Sequence, residues 1–152
     1  CPGQVVVSGH SAAIDRAEPE FKSAGARGVI QLKVSAPFHS PLMIPAAQRM
    51  KSVLAEVQFS EPAVPVLSNV SGKPHLKASE MGLALVEQIA HPVRWQACVD
   101  WVLGQGIGRF LEIGPGRVLT GLLRRIDRSA SSSSVDGPEA IAKTPEFLSQ
   151  ET

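Results

Sequence analysis

The sequence predicts an α/β fold with a parallel sheet. Short apolar runs at 4–8, 29–34, 64–70 and 108–113 have the length of strands and are bounded by turn-forming residues. Between them lie segments whose apolar residues recur at the helical period of about 3.6 residues. The alternation of the two patterns is that of helices crossing between parallel strands.

Each element follows from local chemistry. Residues 4–8, centred on Val5-Val6-Val7, read as a buried strand. Ser11 reads as the N-cap of a helix over 12–24, with Ile14, Ala17, Phe21 and Ala24 on one face. Pro19 has no N–H to give a helix interior and is expected to kink or shorten that helix. Gly25 closes it, and 29–34 form the next strand. After a Pro37-Phe38 turn bearing His39, the stretch 41–57 is helical in pattern. Met43, Ala46, Ala47, Met50, Val53, Leu54 and Val57 make its apolar face. Pro62 and Pro65 bracket an extended piece, 64–70 is a strand, and Ser71-Gly72-Lys73-Pro74 a turn. A helix starts at Ser79 or Glu80 and ends near Ala90, and another covers roughly 95–104. Residues 108–113 form a strand, Gly114-Pro115-Gly116 a tight turn and 117–128 a helix. From Ser129 on, Ser-rich and Pro-containing sequence predicts a disordered tail over 128–152.

Composition narrows the function. With 152 residues, 43% hydrophobic and 19% charged, the chain is long enough for one domain with a core. A net charge of +1 indicates neither a nucleic-acid footprint nor a strongly acidic partner. Cys1 and Cys98 give no disulfide framework and share no metal spacing with histidine, so reduced thiols, no metal and a cytoplasmic location are expected. No apolar stretch reaches the roughly 18 residues of a membrane span. The chain opens without Met and without a signal-peptide pattern, straight into Val5-Val6-Val7. It is therefore expected to begin inside a fold, as a fragment or truncated gene model would.

His39 is the leading candidate for chemistry. It follows the apolar run 29–34 and precedes a helix, at the carboxyl end of a predicted strand, where open α/β sheets keep their sites. An imidazole, with an ordinary pKa of about 6.5, takes and returns a proton near neutrality. A lone histidine is also commonly a hydrogen-bonded structural residue, and no carboxylate stands nearby in sequence to orient this one. Gly9-His10-Ser11-Ala12-Ala13 has the outline of a nucleophile elbow with Ala13 in place of the second glycine. Ser11 is more simply a helix cap. Gly114-Pro115-Gly116-Arg117 either packs strand closely on helix or binds an anion at the helix N-terminus. Arg94-Trp95 is a guanidinium–indole stack or a core anchor. Arg117, Arg124, Arg125 and Arg128 make a basic helix end that complements the helix dipole or meets an acidic carrier.

Several strings occur in one order. They are Pro2-Gly3-Gln4-Val5-Val6-Val7-Ser8-Gly9-His10, Ser35-Ala36-Pro37-Phe38-His39-Ser40-Pro41-Leu42-Met43, Pro65-Val66-Leu67-Ser68-Asn69-Val70, Leu85-Val86-Glu87-Gln88-Ile89, Pro92-Val93-Arg94-Trp95 and Glu112-Ile113-Gly114-Pro115-Gly116-Arg117-Val118-Leu119-Thr120-Gly121-Leu122. Together, over about residues 1–127, the chain resembles the carboxyl-terminal half of the malonyl-CoA:acyl-carrier-protein transacylases, loading enzymes of fatty acid synthesis. The resemblance implies a partial α/β-hydrolase-like acyltransferase core with part of a ferredoxin-like subdomain. Residues 1–34 would be the second part of that subdomain and 35–127 the carboxyl-terminal part of the core. It implies a serine acyl-enzyme whose elbow serine, oxyanion loop and carboxylate-binding arginine lie outside the matched region. His39 matches the catalytic base, and Gln88 the residue whose backbone carbonyl holds that histidine. Phe38 matches the position that disfavours branched extender units in related acyltransferases. Malonyl-CoA as substrate, acyl carrier protein as partner and no further cofactor are implied with it. Two other readings stand beside this one: a non-catalytic carrier-protein-binding relic of the family, and a minimal serine hydrolase using Ser11 and His39.

Overall fold

The computed structural model describes residues 1–75 and 77–149. The chain divides into two compact units, one spanning Val5–Arg94 and the other joining Cys1–Gln4 to the chain from Trp95 on.

In the first unit, α1 runs Ser11–Ser23, a 3-10 turn covers Pro41–Met43, α2 is Ile44–Leu54 and α3 is Ala78–Ala90. Helix α2 packs on α3. Ala47, the buried residue of α2, lies on the face that the sequence periodicity marks as apolar. Helix α1 passes through Pro19 without interruption. Its end is a Schellman motif: Ala26 N–H donates to Phe21 O, Gly25 N–H donates to Lys22 O, and Gly25 takes φ +94°. Ser11 is not the cap. His10 occupies that position and Ser11 is the first helical residue, with no side-chain capping bond.

Three expected strands are absent among the described residues. Val5, Val6 and Val7 are exposed, as are Ile30, Leu32 and Val34, and none of them joins a ladder. A β-propensive run becomes a strand only when a neighbour takes its N–H and C=O groups, and no described segment does so. The run 64–70 survives only as one arm of a hairpin. It carries a single bridge, Leu67 to Pro74, and closes through Ser68 N–H to Lys73 O (2.9 Å) and His75 N–H to Val66 O (2.9 Å).

The second unit is a βαβ unit flanked by two helices. Helix α4 is Trp95–Gly104, β1 is Arg109–Ile113, α5 is Val118–Ile126, β2 is Ser131–Val135 and α6 is Pro138–Ser149. Strands β1 and β2 are parallel, in register from Arg109 opposite Ser131 to Ile113 opposite Val135. The expected parallel sheet is therefore present, as a small one, and the fold is a partial α/β fold. Its core is the meeting of α4 and α5, with Cys98, Val99 and Leu123 buried.

The expected disordered tail is a correction. Ser131 to Ser134 form β2, and a helix follows up to Ser149; residues 150–152 lie outside the described residues. Serine composition argued for disorder, but ladder hydrogen bonds use the backbone, and Phe110 and Leu111 of β1 supply the apolar side chains that β2 lacks. Pro138 sits at the first helical position, where its missing N–H costs nothing. Arg109 donates from Nη1 to Phe147 O and Leu148 O (both 3.1 Å), satisfying carbonyls at the end of α6.

Candidate active site

The site begins with how α3 ends. A helix leaves its last four carbonyls without intrahelical partners. In α3 these are Glu87 to Ala90, and three are taken by histidine groups. His91 Nδ1 lies 2.7 Å from Glu87 O, His39 Nδ1 lies 2.8 Å from Gln88 O, and His39 N–H donates to Ile89 O at 3.3 Å. A carbonyl only accepts, so Nδ1 of His39 carries a proton, and in the neutral ring Nε2 presents the lone pair. His39 is exposed, and no described residue bonds to Nε2. The carboxyl end of α3, with its partial negative charge, lies against the ring where positive charge develops as Nε2 gains a proton. A backbone carbonyl thus fixes the tautomer, the task that a carboxylate performs in a Ser-His-Asp triad.

Backbone geometry aims this ring. His39 is the one described non-glycine residue with positive φ, at +59°. Left-handed backbone at such a residue costs on the order of 1–3 kcal/mol and persists where its surroundings over-determine it. Here they do. Phe38 N–H donates to Ala36 O (2.9 Å), Ser40 Oγ donates to Pro37 O (2.7 Å), and Met43 N–H donates to Ser40 O (3.0 Å) to open the 3-10 turn. Ser40 is 5% exposed. Phe38, beside the imidazole, keeps 45% of its surface open.

The other sequence candidates fall elsewhere. Ser11 heads α1 and makes no hydrogen bond to His39. The helix N-terminus after Gly114-Pro115-Gly116 is already filled by the chain's own anion. The Glu112 carboxylate accepts from Leu119 N–H (2.9 Å) and Thr120 N–H (2.8 Å). The Thr120 N–H, with those of Leu119 and Val118, holds this carboxyl below the usual carboxylate range. Close packing does not explain the two glycines, since a Cβ on Gly114 or Gly116 would meet nothing within 4 Å. Their φ values of +135° and +93° do. Trp95 begins α4, and its buried indole N–H finds no partner among the described residues.

Arg124, Arg125 and Arg128 line a groove of about 640 Å³ with Ser131 and Ser132; Arg125 donates to Gln4 Oε1 at 2.6 Å. A larger groove, about 820 Å³, is walled mainly by apolar residues, among them Leu111, Ile113, Val135, Ile141 and Leu148. The described residues include no group of three or more metal-ligating side chains and no helix long and apolar enough to cross a membrane. Sequence reasoning missed Ser40, Ile89, His91 and the capping role of Glu112. The signals were present: a histidine directly after a helical run, and a serine closing a Pro-Phe turn.

No protein-family model matches the chain. The malonyl CoA-acyl carrier protein transacylase of Salmonella typhimurium is 43% identical over 141 residues, taking in 93% of this chain and 46% of the relative. That of Bacillus subtilis is 38% identical over 151 residues, 99% of this chain and 48% of the relative. Among solved structures, the Coxiella burnetii malonyl CoA-acyl carrier protein transacylase superposes with a TM-score of 0.88 at 38% identity, over 93% of this chain and 45% of that one. A complex of a type II PKS acyl-carrier protein with its malonyl-transacylase gives 0.87 at 41%, over 91% and 45%. The chain spans about half the length of the curated relatives it matches.

Proposed function

The chain is homologous to the malonyl-CoA:acyl-carrier-protein transacylases over about half their length, and we propose that it supplies the base for transfer of malonyl from CoA to the pantetheine thiol of acyl carrier protein. His39 is that base and the Gln88 carbonyl its positioning group. The nucleophilic serine comes from the part of the relatives that this chain does not span. The serine oxygen bonds to the thioester carbonyl carbon as its proton passes to His39 Nε2. Collapse breaks the carbon–sulfur bond, and the proton leaves on the CoA sulfur. The carrier thiol then gives its proton to Nε2 while its sulfur attacks the acyl-serine ester, and collapse returns the hydroxyl with that proton. Malonyl-CoA is a substrate and no cofactor takes part. Phe38 sets a steric limit at the acyl α-carbon, residues 1–34 and 35–127 divide between subdomain and core, and the reaction is cytoplasmic.

The observation that carries this reading is the 2.8 Å contact from His39 Nδ1 to Gln88 O, which directs the neutral ring's lone pair to Nε2. The alternative, a non-catalytic carrier-binding protein, draws on the arginine groove beside Ser131 and Ser132, which suits an acidic carrier. Intact-mass spectrometry separates the two. The chain is incubated with malonyl-CoA alone, and again with a polypeptide supplying the part of a relative that it does not span. A malonyl adduct on that complementary polypeptide alone supports the acyl-enzyme reading. Carrier binding with no adduct on either polypeptide supports the alternative, and an adduct on Ser11 supports a hydrolase instead.

A further inference from the structure

Taking His39 as the base, we infer that Ser40 is a positioning residue for the reaction: its buried hydroxyl holds His39 in the left-handed backbone that directs the ring to Gln88. Between Ala36 and Met43 the turn is tied by local bonds on both sides of His39, whose own N–H and ring bond to α3 instead. Pro37 has a ring-fixed φ. Phe38 N–H is bonded to Ala36 O, and Ser40 O accepts from Met43 N–H. Ser40 Oγ donates back to Pro37 O at 2.7 Å, closing a four-residue loop around Phe38 and His39.

A residue at φ +59° relaxes toward negative φ unless something prevents it. The ring contact to Gln88 O and the N–H contact to Ile89 O both lie across the site on α3, and the longer of them is 3.3 Å. The Ser40 bond is the shortest of the three and the only local one. Ser40 is 5% exposed, and deleting its hydroxyl removes that donor from Pro37 O. His39 is then released, and its Nδ1 leaves the Gln88 carbonyl.

The test uses the full chain, ring-¹⁵N-labelled at histidine and bound to the complementary polypeptide. The His39 tautomer is read by long-range ¹H–¹⁵N correlation and transfer kinetics are measured on the same sample. The wild type should show the Nδ1–H form. Ser40→Ala should lower the Nδ1–H to Nε2–H ratio about 5-fold, the equilibrium factor of one net hydrogen bond. Its kcat should fall by a similar factor while KM for malonyl-CoA holds. Ser40→Thr, which keeps the hydroxyl, should restore both. An unchanged tautomer ratio in Ser40→Ala overturns the proposal. So does a loss that Ser40→Thr shares, or one accompanied by loss of amide protection in α2 and α3, because the serine is then part of the scaffold. If the wild type already lacks the Nδ1–H preference, the failure lies with the His39–Gln88 pair, before Ser40 enters.

Discussion

Kept alone in solution, this chain should not unfold as a cooperative globular domain. It exposes 11,265 Å² of surface. Two separate folded bodies sharing its 16.1 kDa as the two units do would expose about 8,900 Å². The excess is roughly 2,300 Å², and with a little over half of it apolar, as on ordinary protein surfaces, about 1,300 Å² of apolar surface goes unburied. At about 25 cal/mol per Å² that is burial on the order of 30 kcal/mol that this fold does not realise, an upper figure because unfolded chains are themselves partly compact. Net stabilities are only about 5–15 kcal/mol, and the entropy lost in ordering the chain is not reduced in compensation. The uncovered surface includes Val5, Val6, Ile30, Ile113 and Ile141, each more than 60% exposed, whereas the buried apolar residues among those described are Ala47, Cys98, Val99 and Leu123. The assay is calorimetry with hydrophobic-dye binding and hydrogen exchange, on the chain alone and with the complementary polypeptide. The chain alone should bind dye and exchange quickly in β1 and β2, and the complement should protect both strands. A single sharp transition, with calorimetric and van't Hoff enthalpies equal and no dye binding, would refute the reasoning.

Three further outcomes follow from particular contacts. Phe38→Ser should raise the methylmalonyl-to-malonyl ratio of kcat/KM in the assembled enzyme by about 10-fold to 100-fold, the scale of one methyl group in a pocket; an unchanged ratio would leave Phe38 as packing. Gln88→Ala should keep most of its activity because its backbone makes the contact, and a folded variant as impaired as one lacking His39 would count against that contact. The Glu112 carboxyl is held below its ordinary value in the fold, so its contribution to stability is complete above the unfolded-state pKa and lost as pH falls through the lower folded value. Denaturant midpoints of the assembled protein should therefore drop on acidification, and Glu112→Gln should flatten that part of the profile; identical profiles would remove the cap from the account.

Helices were legible where periodicity and end signals agreed. Trp95 to Gly104 and the segment ending at Ala90 stand as read, because Pro92 and Gly104 punctuate them. β1 was legible because its partner lies downstream in the same chain. The runs at 4–8 and 29–34 have the right composition, but strandness belongs to a pair, and composition holds no information about whether the partner is present. The Ser131–Ser134 segment failed in the opposite direction: its residues argue for a loop, and its neighbour β1 makes it a strand. At the site, His39 could be found from its position, but its pairing with Gln88, 49 residues away, reached the sequence reading only through resemblance. The filled N-terminus of α5 was hidden for the same reason, since Glu112 caps residues seven and eight positions ahead of it.

The most direct test of the central claim is the rate of malonyl transfer to carrier protein by the chain assembled with its complementary polypeptide, with His39 intact and with His39→Ala. A positioned acid–base group contributes about 10²-fold to 10⁴-fold, so the variant should lose at least 10² in kcat while binding malonyl-CoA with unchanged affinity. A His39→Ala protein that keeps the amide protection of α2 and α3 and transfers malonyl at a near-normal rate would contradict the assignment of His39 as the base.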